Sequence, residues 1–126
     1  DVKNYHNEYI IFVNSGRDIT KYKLDEWIKC VQNHGAGEIL ITSIDKDGMS
    51  RGADYELLKI VKEHCNVPFI YGGGIQDNVE IEKLFKEDII NLTLASSLHY
   101  NDIDILKTKE VLSSKGFLIR TNSQQT

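Results

Sequence analysis

Hydrophobic positions along the chain fall into two alternating rhythms. Three short blocks, residues 38–44 (EILITSI), 67–71 (VPFIY) and 91–95 (NLTLA), are near-continuously apolar or β-branched. Such runs predict strands covered on both faces rather than half-exposed ones. Between them the spacing changes to that of helices. Leu24, Ile28 and Val31 fall at i, i+4, i+7, with Trp27 beside them on what reads as a core-facing stripe. Tyr55, Leu58 and Val61, flanked by Leu57 and Ile60, make a second stripe, and Val79, Ile81, Leu84 and Phe85 a third. A last helix is predicted from about Ile103 to Ser113 on Ile105, Leu106 and Leu112. The resulting order is αβαβαβα, which implies right-handed βαβ units and a parallel sheet, as in a (β/α) barrel or a doubly wound fold. The opening is different: residues 9–13 (YIIFV), followed by Ser15-Gly16, predict half of a small hairpin ahead of the first helix. The polar end, residues 121–126, predicts a frayed tail.

Composition narrows the picture. The 126 residues suffice for one domain, and aliphatic blocks this frequent exclude intrinsic disorder. Fifteen basic against nineteen acidic residues give a formal charge of −4, which argues against sequence-independent nucleic-acid binding. No apolar run approaches the roughly 18–20 residues of a membrane span, and the polar start does not read as a signal peptide. A soluble, cytoplasmic chain, or a piece of one, is the expectation. Cys30 and Cys65 form no CxxC unit, and the four histidines are irregularly spaced, so two reduced, half-buried thiols and no metal are expected. No cofactor is implied either: GxGxxG and GxxxxGK[ST] are both missing.

The chemistry gathers after the strands. The first is followed by Thr42-Ser43-Ile44-Asp45-Lys46-Asp47-Gly48, the second by Gly72-Gly73-Gly74, and the third by Ser96-Ser97-Leu98-His99-Tyr100. In parallel α/β folds these loops share the face where ligands bind. Consecutive glycines let backbone N–H groups approach a ligand closely, and Ser96 and Ser97 precede a short helical turn whose first amides can receive an anion. Alternatively, the glycines only turn the chain and Ser97 only caps a helix. The two loops on consecutive strands favour a phosphate cradle. Asp45 and Asp47 are carboxylates at a strand end, where proton transfer is feasible. Asp-x-Asp-Gly is equally the pattern of a turn, so Asp45 stays open between the two readings, while Asp47 is favoured as functional. His99 reads as a packing or hydrogen-bonding residue rather than a base.

Residues 35–48 (GAGEILITSIDKDG), the Gly72–Gly74 run and residues 94–100 (LASSLHY) resemble the second half of the cyclase subunit of imidazole glycerol phosphate synthase, the HisF-like family of histidine biosynthesis. The resemblance covers residues 1–120 and implies the C-terminal half of a (β/α)₈ TIM barrel, an incomplete barrel as it stands. It implies an enzyme, a lyase or cyclase, that takes ammonia from a glutaminase (amidotransferase) partner in a heterodimer. The family converts a bis-phosphorylated substrate, PRFAR, into imidazole glycerol phosphate and an aminoimidazole carboxamide ribotide. Of the two aspartates that act as acid and base, the one on the fifth strand falls on Asp1, because the distance to the following Ser15-Gly16 matches; Lys3 stands two positions on. Ser15, Gly16, Thr42, Asp47, Gly72, Gly73, Gly74, Ala95 and Ser96 match positions that line the substrate or its phosphate. The other aspartate and half the phosphate sites would lie before Asp1, so the chain is expected to be part of a longer subunit or, less favoured, a half-barrel completed by another chain. Taken alone, residues 1–126 are expected to be inactive.

Asn4, Ile19-Thr20-Lys21, Met49, Ala53 and Gly72 depart from the cyclase pattern near the substrate. They bring the sequence closer to cyclase-like proteins of bacterial surface-sugar biosynthesis, which also work with an amidotransferase. A third reading is a non-catalytic, phosphate-binding half-barrel module.

Overall fold

The computed structural model describes residues 1–49, 51–100 and 102–120. The tail expected at 121–126 lies outside the described residues. The chain begins with a meander of β1 (Val2–Tyr5), β2 (Glu8–Val13) and β3 (Asp18–Lys23). There follow α1 (Leu24–Asn33), β4 (Ile39–Thr42), α2 (Tyr55–His64), β5 (Phe69–Gly72), α3 (Asn78–Lys86), β6 (Leu92–Thr93), the single turn α4 (Ser96–His99) and α5 (Ile105–Ser114). β4, β5 and β6 pair in parallel in that order, with Thr42 opposite Gly72 and Gly72 opposite Thr93. This is the alternating α/β, parallel-sheet architecture of part of a (β/α)₈ barrel. No helix among the described residues is long and apolar enough to cross a membrane.

The opening segment is richer than half a hairpin. β2 pairs antiparallel with both β1 and β3, the second pairing interrupted by a bulge between Ile10 and Phe12. β1 also meets β4: Val2 bridges Ser43 in parallel, and the Ile44 N–H donates to the Val2 carbonyl at 3.0 Å. The meander is thereby fastened to the edge of the parallel sheet, and Val2 becomes part of the core. Exposed polar residues on most of β1 hide this strand from a hydrophobicity pattern.

Three helices begin on an aspartate whose carboxylate takes an otherwise unpaired first-turn N–H: Asp54 for Leu57, Asp77 for Glu80, and Asp104 for Leu106 and Lys107. The core lies between these helices and one face of the sheet, with Ile28, Leu57, Leu58, Val61, Tyr71 and Leu84 almost wholly enclosed. Gln32 ties α1 to the end of α2, donating to the His64 carbonyl and accepting from the Asn66 N–H. Cys30 and Cys65 are half-buried and not joined to each other.

Three expectations need correction. The strands are not covered on both faces: Leu40 is 58% exposed, because among the described residues nothing packs over the sheet face opposite the helices. Val79, assigned to the apolar stripe of α3, is 75% exposed; it is the second residue of the helix, and Ile81, Leu84 and Phe85 suffice to seat it. Ile105 and Leu106, on which the last helix is predicted, are 44% and 54% exposed, and Thr108 and Leu112 make the buried side of α5. Trp27 packs against the core as its stripe predicts, half-buried beside the Tyr22 ring.

Candidate phosphate cavity and acid–base strand end

The loops after β4, β5 and β6 converge on one cavity of about 160 Å³. Thr42, Asp47, Gly72, Gly73, Gly74, Ala95 and Ser96 all line it, joined by Ile75, Thr93 and Leu94. A water takes about 30 Å³ of liquid, so the space suits one compact end-group such as a phosphate. It is below the roughly 300 Å³ at which pockets begin to enclose whole drug-sized ligands. Among the described residues no lysine or arginine lines it. An anion would therefore be held by backbone amides and hydroxyls.

The glycines are needed for close approach. Gly73 and Gly74 have φ of +110° and +79°, a region L side chains rarely adopt. A Cβ on Gly73 would lie 2.5 Å from the Ser43 carbonyl oxygen, and one on Gly74 2.2 Å from that of Gly52. Gly72 has a different reason: a Cβ there would meet the Thr93 hydroxyl oxygen at 2.2 Å. Thr42, Gly72 and Thr93 thus form one row across the open sheet face, and the Thr93 hydroxyl fills the space that a side chain at 72 would take. Ala95, not a serine, precedes the turn α4, and it makes no side-chain cap. Ser96 and Ser97 both lie within that turn, and Ser97 is buried. His99 is exposed and sits edge-on to Tyr100.

The Asp45–Gly48 segment adopts the geometry that the turn reading of Asp-x-Asp-Gly predicts. It is a turn, with the Lys46 and Asp47 N–H groups donating to the Ser43 carbonyl and Gly48 at φ +68°. Asp45 accepts from the Asn4 N–H at 2.6 Å, which fastens the loop to β1. Asp47 stays exposed and lines the cavity.

Asp1 and Lys3 stand outside the cavity. Since Val2 pairs with Ser43, Asp1 occupies the position beside Thr42, on the row that continues through Gly72 to Thr93. Asp1 is exposed, and two strand spacings, about 10 Å, separate its strand from that of Gly72. The Lys3 ammonium lies 5.9 Å from the centre of the Phe12 ring. Ser15 and Gly16 form the β2–β3 turn, both at positive φ; Gly16 packs toward Ile44 and does not line the cavity.

A buried polar network behind the cavity escapes a reading of the sequence. The Asp54 carboxylate caps α2 and also accepts from the Tyr9 hydroxyl at 2.7 Å and the Ser43 hydroxyl at 3.4 Å. Tyr71, wholly buried on β5, accepts from the Asp54 N–H at 2.8 Å and donates to the Gly73 carbonyl at 2.9 Å. Burial, with the Asp54 and Glu80 carboxylates adding to it, pushes the Tyr71 hydroxyl up to about 12, so it remains a proton donor throughout the neutral range. Burial and the Asp54 carboxylate likewise raise Tyr9. An aspartate immediately before a helical stripe is a legible cap; its bonds to Tyr9 and Ser43 are not. Replacing Asp54 by alanine in the complete protein is expected to destabilise the fold by about 2–4 kcal/mol, the lost cap plus the stranded Ser43 and Tyr9 hydroxyls. A lowered denaturant midpoint at unchanged slope would show it.

The chain is similar to known proteins along nearly its whole length. The histidine biosynthesis protein family matches residues 1–104. The imidazole glycerol phosphate synthase subunit HisF of Chlorobium phaeobacteroides (strain BS1) is 36% identical over 121 residues, covering 95% of this chain and 48% of the relative. Subunits of the same name from Chlorobaculum parvum and Campylobacter concisus are each 38% identical, over 121 and 120 residues, again with 95% of this chain and 48% and 47% of theirs. The chain spans about half the length of the curated relatives it matches. With five-sixths of its length matched by that family and its strand-end loops closing one anion-sized cavity, the chain belongs to the histidine biosynthesis protein family.

Proposed function

We propose that the complete protein is the cyclase subunit of an imidazole glycerol phosphate synthase, and that residues 1–120 form the C-terminal half of its barrel. The observation that carries this reading is the convergence of Thr42, Gly72, Gly73, Gly74, Ala95 and Ser96 on one anion-sized cavity, in register with Asp1 two strands away. One phosphate of PRFAR would sit against the glycine amides and the start of α4, with Asp47 on a neighbouring ribose hydroxyl. Asp1 would move a proton to or from the reacting ring, with Lys3 near it and Ser15-Gly16 closing the substrate's side. Ammonia would arrive from a glutaminase subunit bound as a heterodimer. The open sheet face around Leu40 and Ile70 would be covered by the other half of the barrel, whose interior layers such residues fill.

The test supplies the complete gene product with an ammonium salt, which bypasses any glutaminase, and with PRFAR. Release of the aminoimidazole carboxamide ribotide is the expected result. Gly72 is among the departures from the cyclase pattern, and a Cβ there would meet the Thr93 hydroxyl oxygen at 2.2 Å; the second reading these departures leave is the surface-sugar paralogue. A folded protein that binds inorganic phosphate yet leaves PRFAR unchanged would select that reading.

A further inference from the structure

A buried side chain beneath the glycine run is bonded to it. Tyr71 is wholly enclosed on the helix-facing side of β5, and its hydroxyl makes two bonds: it accepts from the Asp54 N–H at 2.8 Å and donates to the Gly73 carbonyl at 2.9 Å. All peptide bonds in the described chain are trans. In a trans peptide the C=O and the following N–H point in opposite directions. A Gly73 carbonyl drawn down onto Tyr71 therefore turns the Gly74 N–H the other way, out of the core and to the cavity side. The next carbonyl is held as well, since Gly74 accepts from the Gly52 N–H at 3.0 Å. Asp54, which fixes the Tyr71 hydroxyl from the other side, is itself anchored by the Tyr9 hydroxyl and by the first turn of α2.

We propose that Tyr71 is a positioning residue for the anion: held by the Asp54 backbone, its hydroxyl fixes the Gly73 peptide plane and so presents the Gly74 amide to a phosphate in the cavity. The inference rests on the phosphate reading of that cavity. It assigns affinity for the phosphate end of the substrate to a tyrosine that never touches it. A grip of this kind binds ground state and transition state alike, so it appears in KM and not in kcat.

The variant is Tyr71→Phe in the complete protein, which removes one oxygen and leaves the ring to fill the core. KM for the phosphorylated substrate is expected to rise about 2- to 12-fold, the worth of one net hydrogen bond, with kcat essentially unchanged. The dissociation constant for inorganic phosphate, followed through the Gly73 and Gly74 amide resonances, should rise by the same factor. A purely structural tyrosine would lower the melting temperature and leave both constants unchanged, and that result overturns the inference. If phosphate fails to move the Gly74 amide even in the unaltered protein, the phosphate reading falls and this inference with it. Should the phenylalanine variant not fold, the Tyr71 hydroxyl proton in the unaltered protein decides. Its resonance should be protected from exchange and shift on phosphate titration, and a Gly74 amide that shifts while that hydroxyl does not would refute the coupling.

Discussion

Asp1→Asn in the complete protein is expected to lower turnover by about 10²–10⁴-fold, the range general acid–base catalysis supplies. Asparagine has nearly the same shape and keeps hydrogen-bonding capacity, but it cannot take up and release a proton at neutral pH. Asp1 is exposed and lies one position before the Val2–Ser43 bridge, so the substitution leaves the core residue Val2 and the strand pairing untouched. The cavity proposed for phosphate begins one strand over, at Thr42, and should keep its affinity. Single-turnover rates alongside inorganic phosphate titration separate the two effects. A variant that binds phosphate normally and turns over at close to the unaltered rate would remove Asp1 from the chemistry.

The second large effect is expected at Gly74. Alanine there would hold a backbone at φ +79° and place its Cβ 2.2 Å from the Gly52 carbonyl oxygen and 2.8 Å from the Lys46 Cβ. Neither neighbour is the free end of a flexible chain, so the loop itself must move. Left-handed strain costs roughly 1–2 kcal/mol for a residue with a Cβ. Overpacking adds about 1–3 kcal/mol. A destabilisation of about 2–5 kcal/mol and loss of phosphate binding are expected together, read by denaturant unfolding and by phosphate titration. Gly35 is the matched control: its φ is +87°, but nothing lies within 4 Å of where a Cβ would sit. Gly35→Ala should cost only the strain, about 1–2 kcal/mol, and leave phosphate binding alone. Equal losses at both positions would mean that close approach at Gly74 is irrelevant.

Much of the candidate site was legible because its signals are local. A glycine run directly after an apolar block, or Asp-x-Asp-Gly at the end of another, states its own backbone geometry. The parallel alternation of strands then places all such loops at one end. Asp47, Gly72–Gly74 and Ser96 accordingly share one cavity, together with Thr42 and Ala95, which the family resemblance rather than any local signal singles out. What escaped depends on partners far apart in the chain. Tyr71 reads as one more apolar strand residue until its hydroxyl meets the Asp54 backbone, 17 positions earlier. Tyr9 reaches the same aspartate across 45 positions. Thr93 becomes part of the cavity floor only because the β5–β6 register sets it beside Gly72.

Hydrophobic periodicity and turn chemistry alone determined that helices and strands alternate from Leu24 on, where each of those elements begins to within a few residues, and which loops follow the parallel strands. These properties arise from a residue and its nearest neighbours in the chain. The tertiary structure decided that β1 closes onto β4, that Thr93 stands beside Gly72, and that a tyrosine under the glycine run bonds the Gly73 carbonyl. Each of those outcomes depends on the register between strands joined through intervening helices. Such a register is set by packing the whole core at once, and no local pattern encodes it.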